Sequence, residues 1–298
     1  MKKYTNLLLI LLFLILEIFL LSNSKIVINS FNKSLNICLY TLMPTMFASI
    51  LFSQILIKLE FDKYVPKIIK NTIKKLFNIS DNEVIIFLLS IISGYPNNSK
   101  MLINNKNLNN IIHYTNFVNP IFLICTVGAI YLNDIKLSII ILISHYIGNI
   151  ILGIILKNKN INDNKTIINQ NYNFLNIYYS SLKSTVITLS TIFANILFFS
   201  IINALITNII NLNEPLNSFV IGLIEFSNGI YNISQTNESL FIKGLLILII
   251  ITFGSFSIHM QILSINDKIK YFKYLLYRII NIFISSIIFI ILYLILYN

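Results

Sequence analysis

Charge is scarce in this chain, and so are the residues that catalytic and metal sites are built from. Charged residues make up 11% of the 298, there is no tryptophan, and cysteine, histidine and proline number 2, 3 and 5. Cys38 and Cys125 both stand in apolar segments, offer no disulfide framework or metal-ligand spacing, and read as small buried hydrophobes. Three scattered histidines do not make a metal site. No phosphate-binding glycine loop and no serine nucleophile elbow is present. The expectation is a protein that is not an enzyme and holds no metal and no cofactor. The shortage of charge also excludes a soluble domain. With 56% hydrophobic residues and a mean hydropathy of +0.79, a chain of this size cannot hide its apolar surface from water.

What the sequence does have is long uncharged apolar runs, the signature of an all-α polytopic membrane protein whose partner is the lipid bilayer. The net charge of +11 does not indicate nucleic acid, because lysines gather at the ends of the apolar runs, where membrane proteins place them. The start, "MKKYTNLLLILLFLILEIFLLSNS", joins a basic end to an apolar core without a small-x-small cleavage site, and predicts an uncleaved first helix.

The apolar segments are 6–21, 35–59, 84–95, 117–132, 137–156, 185–211, 216–230, 241–264 and 277–297. A spanning helix needs about 20 apolar residues. Segments 84–95, 117–132 and 216–230 fall clearly short. Polar stretches at 60–83 and 157–183 separate them. The order of the first half recurs in the second: a long span, a short segment ending in a polar break, a segment with an internal polar patch, and a last span. Gly94 matches Gly229, and Asn119 matches Ser257. The reading is an anchor helix over 1–34, repeats over 35–156 and 184–298, and a cytoplasmic linker over 157–183. If the N-terminus is cytoplasmic and the segments 84–116 and 216–240 enter and return on one side, only Lys25, Lys33, Lys136 and Lys243 of the 22 Lys and Arg face outside. That is a strong positive-inside bias. It makes the repeats inverted, with two re-entrant or broken-helix segments at matching places, which is where a transporter's substrate site is sought.

The candidate residues follow from the breaks. In "SIISGYPNNSKML", Gly94 permits a turn, Pro96 suits the first position of a new helix, and Asn97, Asn98 and Ser99 can cap backbone groups. With Tyr95 between them and the charge of Lys100 beside them, they predict a site for a small anionic solute. In "LIEFSNGIYNIS", Glu225 puts a carboxylate at membrane depth, able to carry a proton, bind a cation or pair with Lys100, and Asn228 and Gly229 break the helix. In "HYTNFVNPIF", Thr115, Asn116 and Asn119 precede Pro120 and are expected to line the same cavity. In "FGSFSIHMQI", Ser255, Ser257, His259 and Gln261 do not share a helical face, which predicts an unwound stretch. His145, Asn149 and Gly148 read as helix–helix contacts, as do Gln54, Asn195 and Asn203. A homo-oligomer is compatible with all of this.

The series "SGYPNNSK", "HYTNFVNPIFLICTVGAIYL", "SHYIGNIILG", "GLIEFSNGIYNIS" and "FGSFSIHMQI" resembles, in order over residues 35–285, the sporulation integral membrane protein YlbJ/SpoVV family, which carries nucleoside-recognition (gate) domains. The family pattern resembles G-Y-P-x-G-A-K, with Asn98 and Ser99 standing here for its Gly and Ala. The resemblance implies a role in spore and cortex formation. It implies movement of dipicolinic acid across the outer forespore membrane, and kinship with nucleoside transporters whose sites use re-entrant hairpins and broken helices. The alternatives are a non-transporting scaffold for envelope assembly and a nucleoside-type transporter.

Overall fold

The computed structural model describes residues 2–102, 110–157, 173–210, 212–265 and 269–297, and all regular structure among them is helical. That is what lipid imposes, since a helix satisfies its own backbone hydrogen bonds. Helix α1 (Lys2–Ser22) leads into α2 (Ser24–Ile37), a π-helical turn (Cys38–Leu42) and α3 (Met43–Lys58). The last three form one rod of 35 residues. The span read as 35–59 therefore starts at Ser24, and a boundary after residue 34 falls inside the rod. Hydropathy misses this start because α2 is amphipathic: its polar residues lie against α8 (Phe174–Ile209), where Ser30 Oγ donates to the Ser200 carbonyl at 2.9 Å. The linker read as 157–183 lies mostly outside the described residues, and its described end already belongs to α8.

The stretch 60–83, read as a polar linker, contains α4 (Lys67–Phe77), which sets Lys67, Lys70, Lys74 and Lys75 beside an apolar stripe that buries Ile73 and Phe77. This amphipathic helix meets α5 (Asp81–Ser93) at 97°. A capping box fixes the start of α5, with Ser80 N donating to Glu83 Oε2 at 2.7 Å. After α6 (Asn97–Leu102) come a 3-10 turn (Ile111–His113), an irregular run, and a π-helical segment (Phe122–Tyr131). Asp134 caps α7 (Ile135–Ile155), accepting from Leu137 N at 2.8 Å. The second half holds α8, α9 (Leu216–Ile224), α10 (Phe226–Gln235), α11 (Leu240–Phe253), α12 (Phe256–Ile265) and α13 (Tyr271–Tyr297). Among the described residues, five stretches are long and apolar enough to cross a membrane: Ser24–Lys58, Ile135–Ile155, Phe174–Ile209, Leu240–Ser264 and Tyr271–Tyr297. This is an all-α multi-pass membrane protein.

The packing order repeats. Helix α3 lies on α5 as α8 lies on α9, and the π-helical segment lies on α7 as α11 lies on α13. The halves join through equivalent elements, α2 and α3 along α8, and α7 along α13. The second joint is close because Gly148 has no side chain: a Cβ there would stand 2.0 Å from Ser285 Oγ. Asn281 Nδ2 donates to Asn149 Oδ1 across it at 3.0 Å. Asn203 Nδ2 reaches the Ile221 carbonyl at 3.4 Å and ties α8 to α9. Asn195 bonds only its own helix, at the Thr191 carbonyl, because it points to the outside. The outer surface is apolar, with Leu8, Phe52 and Phe283 all exposed, while polar side chains are collected inside.

Candidate functional site

Helix α5 ends inside the bundle at Gly94, whose φ of +71° lies in the left-handed region. A Cβ at Gly94 would also come within 2.6 Å of Asn119 N, so the position tolerates only glycine. The Tyr95–Pro96 peptide is cis, and α6 turns back onto α5. The turn is held by a second piece of irregular backbone, the buried run Thr115–Asn119. Tyr95 N donates to the Phe117 carbonyl at 2.8 Å, and Asn98 Nδ2 donates to the Thr115 carbonyl at 3.0 Å. Asn97 Oδ1 accepts from Gln54 Nε2 of α3 at 3.0 Å, so Gln54 serves the break and not a plain helix contact.

Asn119 closes this run. Its Oδ1 accepts from Ile121 N and Phe122 N at 2.9 and 3.1 Å, which caps the helix that Pro120 opens. Its Nδ2 donates to Ser49 Oγ at 2.7 Å and to the Ser93 carbonyl at 3.3 Å. One amide thus fastens α3, the end of α5 and the start of the π-helical segment.

The break in the second half is Glu225, a single extended residue between α9 and α10. Its carboxylate is fully buried and accepts from Ser227 N (3.0 Å), Ser227 Oγ (2.8 and 2.9 Å), Asn228 N (2.9 Å) and Asn228 Nδ2 (2.8 Å). Its oxygens are spent on capping α10. Asn228 Nδ2 also reaches Ser34 Oγ of α2 at 2.9 Å. After the break α10 folds back on α9: a Cβ on Gly229 would stand 2.0 Å from Gly222 Cα, a contact open only to two glycines. The segment read as 216–230 is a helical hairpin. A cavity of about 250 Å³ between α2, α8 and α10 is lined by Lys33, Asn203, Asn228 and Asn232 and reaches this break.

A last break separates α11 from α12 at Gly254 and Ser255, both at positive φ. The unwound stretch is these two residues only. Ser257, His259 and Gln261 stand on the helix that resumes at Phe256, where the Ser255 and Ser257 hydroxyls meet at 3.0 Å and His259 Nε2 donates to the Phe253 carbonyl at 2.9 Å.

The breaks converge. The Tyr95 and Phe122 rings meet the Phe226 ring edge-on, at 6.0 and 5.6 Å between centres. The Asn116 amide nitrogen lies 3.1 Å from where a Cβ of Gly254 would be. Gly94, Tyr95, Pro96, Asn97, Asn98, Ser99, Asn116, Asn119, Glu225, Asn228, Ser257, His259 and Gln261 are all buried. The Lys100 side chain lies outside the described residues. Several buried polar atoms have no hydrogen-bond partner among the described residues, among them Tyr95 Oη, both amide atoms of Asn116 and both of Gln261.

Sequence reasoning missed a basic side chain at this centre. Arg278, counted with the cytoplasmic charges, is fully buried on α13. Its Nη2 donates to the His113 carbonyl and to Asn149 Oδ1, the latter at 3.3 Å. The available signal was its singularity, because Arg278 is the chain's only arginine and stands in a helix long and apolar enough to cross a membrane.

Compared with known proteins, the chain is similar to the sporulation integral membrane protein YlbJ of Bacillus subtilis (strain 168), at 20% identity over 316 aligned residues that cover 90% of this chain and 77% of the relative. It is a distant relative of the YlbJ type. No protein-family model matches the chain, and no solved structure does.

Proposed function

We propose that the protein is a transporter of a small anionic metabolite in spore formation, with dipicolinic acid, crossing the outer forespore membrane, as its substrate. One observation carries the reading: broken helices from both halves meet inside the helical bundle around fully buried polar side chains. Irregular backbone at that depth is tolerated where it is enclosed by protein or lines a path for solute, and matched breaks in repeated halves mark the substrate site of transporters. The cavity that reaches Asn228 supports an approach from the side of Lys33. The relation to a sporulation membrane protein supports the setting. The two halves act as inverted repeats, the N-terminus is cytoplasmic, and the chemistry is transfer without catalysis.

The test is flux. The purified protein in sealed liposomes takes up labelled dipicolinate, and protein-free liposomes do not. Uptake of uridine in place of dipicolinate makes it a nucleoside carrier. A spore-envelope defect in cells lacking the protein, with no flux of any solute in liposomes, makes it a scaffold.

A further inference from the structure

Arg278 presents an imbalance that the fold does not resolve. Its side chain is fully buried, yet Nε and Nη1, which carry most of a guanidinium's N–H donors, have no partner among the described residues. Nη2 is held by neutral acceptors, the His113 carbonyl and Asn149 Oδ1. Ion pairs among the described residues join Lys63 to Glu60 and Lys74 to Asp81, at the surface. The buried carboxylate of Glu225 is occupied by Ser227 and Asn228. An arginine stays charged under all ordinary conditions, and a buried charge calls for an opposite one.

The surroundings are those of a receiving site. Arg278 lies beside the Tyr274 ring, 5.7 Å from guanidinium carbon to ring centre. Tyr95, at the tip of the first break, packs edge-on against Phe226, and its hydroxyl has no hydrogen-bond partner among the described residues. The Asn116 amide, on the buried irregular run, faces the Tyr274 hydroxyl, and neither group makes a well-formed hydrogen bond among the described residues. A guanidinium with open donors, a phenol and a primary amide, packed with aromatic rings, match a flat carboxylate-bearing solute better than a neutral one.

We propose that Arg278 is the anchor for a carboxylate of the transported anion, with the Tyr95 hydroxyl and the Asn116 amide completing the subsite. The anion supplies the missing counter-charge. The inference deepens the transport reading and rests on it.

The single arginine makes the test specific. In the full-length wild-type protein in nanodiscs, phenylglyoxal forms one arginine adduct, and pyridine-2,6-dicarboxylate slows its formation several-fold while uridine does not. Arg278→Lys keeps the charge but not the planar fork, and it weakens dicarboxylate binding at least tenfold by calorimetry with an unchanged ligand-free melting temperature. Arg278→Gln abolishes binding. Because both variants lose the Nη2 bonds to His113 and Asn149 while only glutamine also loses the charge, the decision rests on wild-type protection and on the lysine variant's affinity. Absent protection in the wild type, or unchanged affinity in Arg278→Lys, overturns the assignment. If dicarboxylate flux persists beside that unchanged affinity, the transport reading stands without Arg278. If Arg278-dependent binding occurs with no flux in liposomes, the anion site stands and the transport reading falls.

Discussion

Single residues decide where this chain stops being helical, and their substitutions are the sharpest tests of the site. Gly94 combines a left-handed φ with a backbone atom 2.6 Å from any added Cβ. Gly94→Ala is expected to cost more than about 1 kcal/mol and to lower the melting temperature in detergent. Ser99→Ala, in the same turn but free of such backbone strain, is expected to melt near wild type. Glu225 acts on the fold as a cap. Glu225→Gln replaces one acceptor oxygen by a donor facing Ser227 and Asn228, an expected loss of about 1–3 kcal/mol with a matching fall in melting temperature. An unchanged melting temperature would mean that the cap does not hold α10. The sequence showed that both residues are special, because glycine before proline and glutamate within an apolar run are rare for stated physical reasons. It did not show what Glu225 bonds to. Its nearest donors, Ser227 and Asn228, are only two and three positions away, and a charge at membrane depth draws attention to distant partners first. Asn98, in place of the family pattern's glycine, costs no backbone strain: it sits in α6 and uses its amide to hold the Thr115 carbonyl.

Helices in this protein are placed by caps and by close approaches as much as by hydropathy. Ser80 with Glu83, Asn119, Asp134, Glu225 and Ser239 each satisfy amides at a helix start. Such a signal was readable at Asn119–Pro120, whereas at Glu225 the sequence showed a carboxylate in an apolar run and not its capping role. The amphipathic α2 was not readable as part of a span, because its polar face is paid for by contact with α8, a partner 170 residues away at Ser30 and Ser200. For α9 and α10 the controlling contact is Gly222 on Gly229. Gly229→Ala drives a methyl into backbone that has no rotamer to move. The expected outcome is an opened hairpin, seen as loss of monodisperse protein in size-exclusion chromatography. Gly153→Ala meets only the rings of Phe77 and Tyr114, which have some freedom to shift, and is expected to be milder.

For the whole molecule the test is sidedness. In a variant lacking Cys38 and Cys125, cysteines placed at Asn213 and Asn237 flank the α9–α10 hairpin, and both are expected to react with an impermeant maleimide from outside. A cysteine at Tyr64 is expected to react from the cytoplasmic side. Opposite sidedness for Asn213 and Asn237 would turn the hairpin into a crossing and undo the inverted arrangement. Apolar runs and lysine placement made the helical class and the short segments legible from sequence. They could not show that the breaks of separate segments come together, because that depends on contacts such as Tyr95 with Phe226, far apart in the chain. The bond from Tyr95 N to the Phe117 carbonyl has a further consequence. It joins the tip of one broken segment to the irregular run of the next, so any motion that parts them must release that amide. Its exchange with heavy water, slow while the two are joined, then keeps time for the opening of the protein with no label attached.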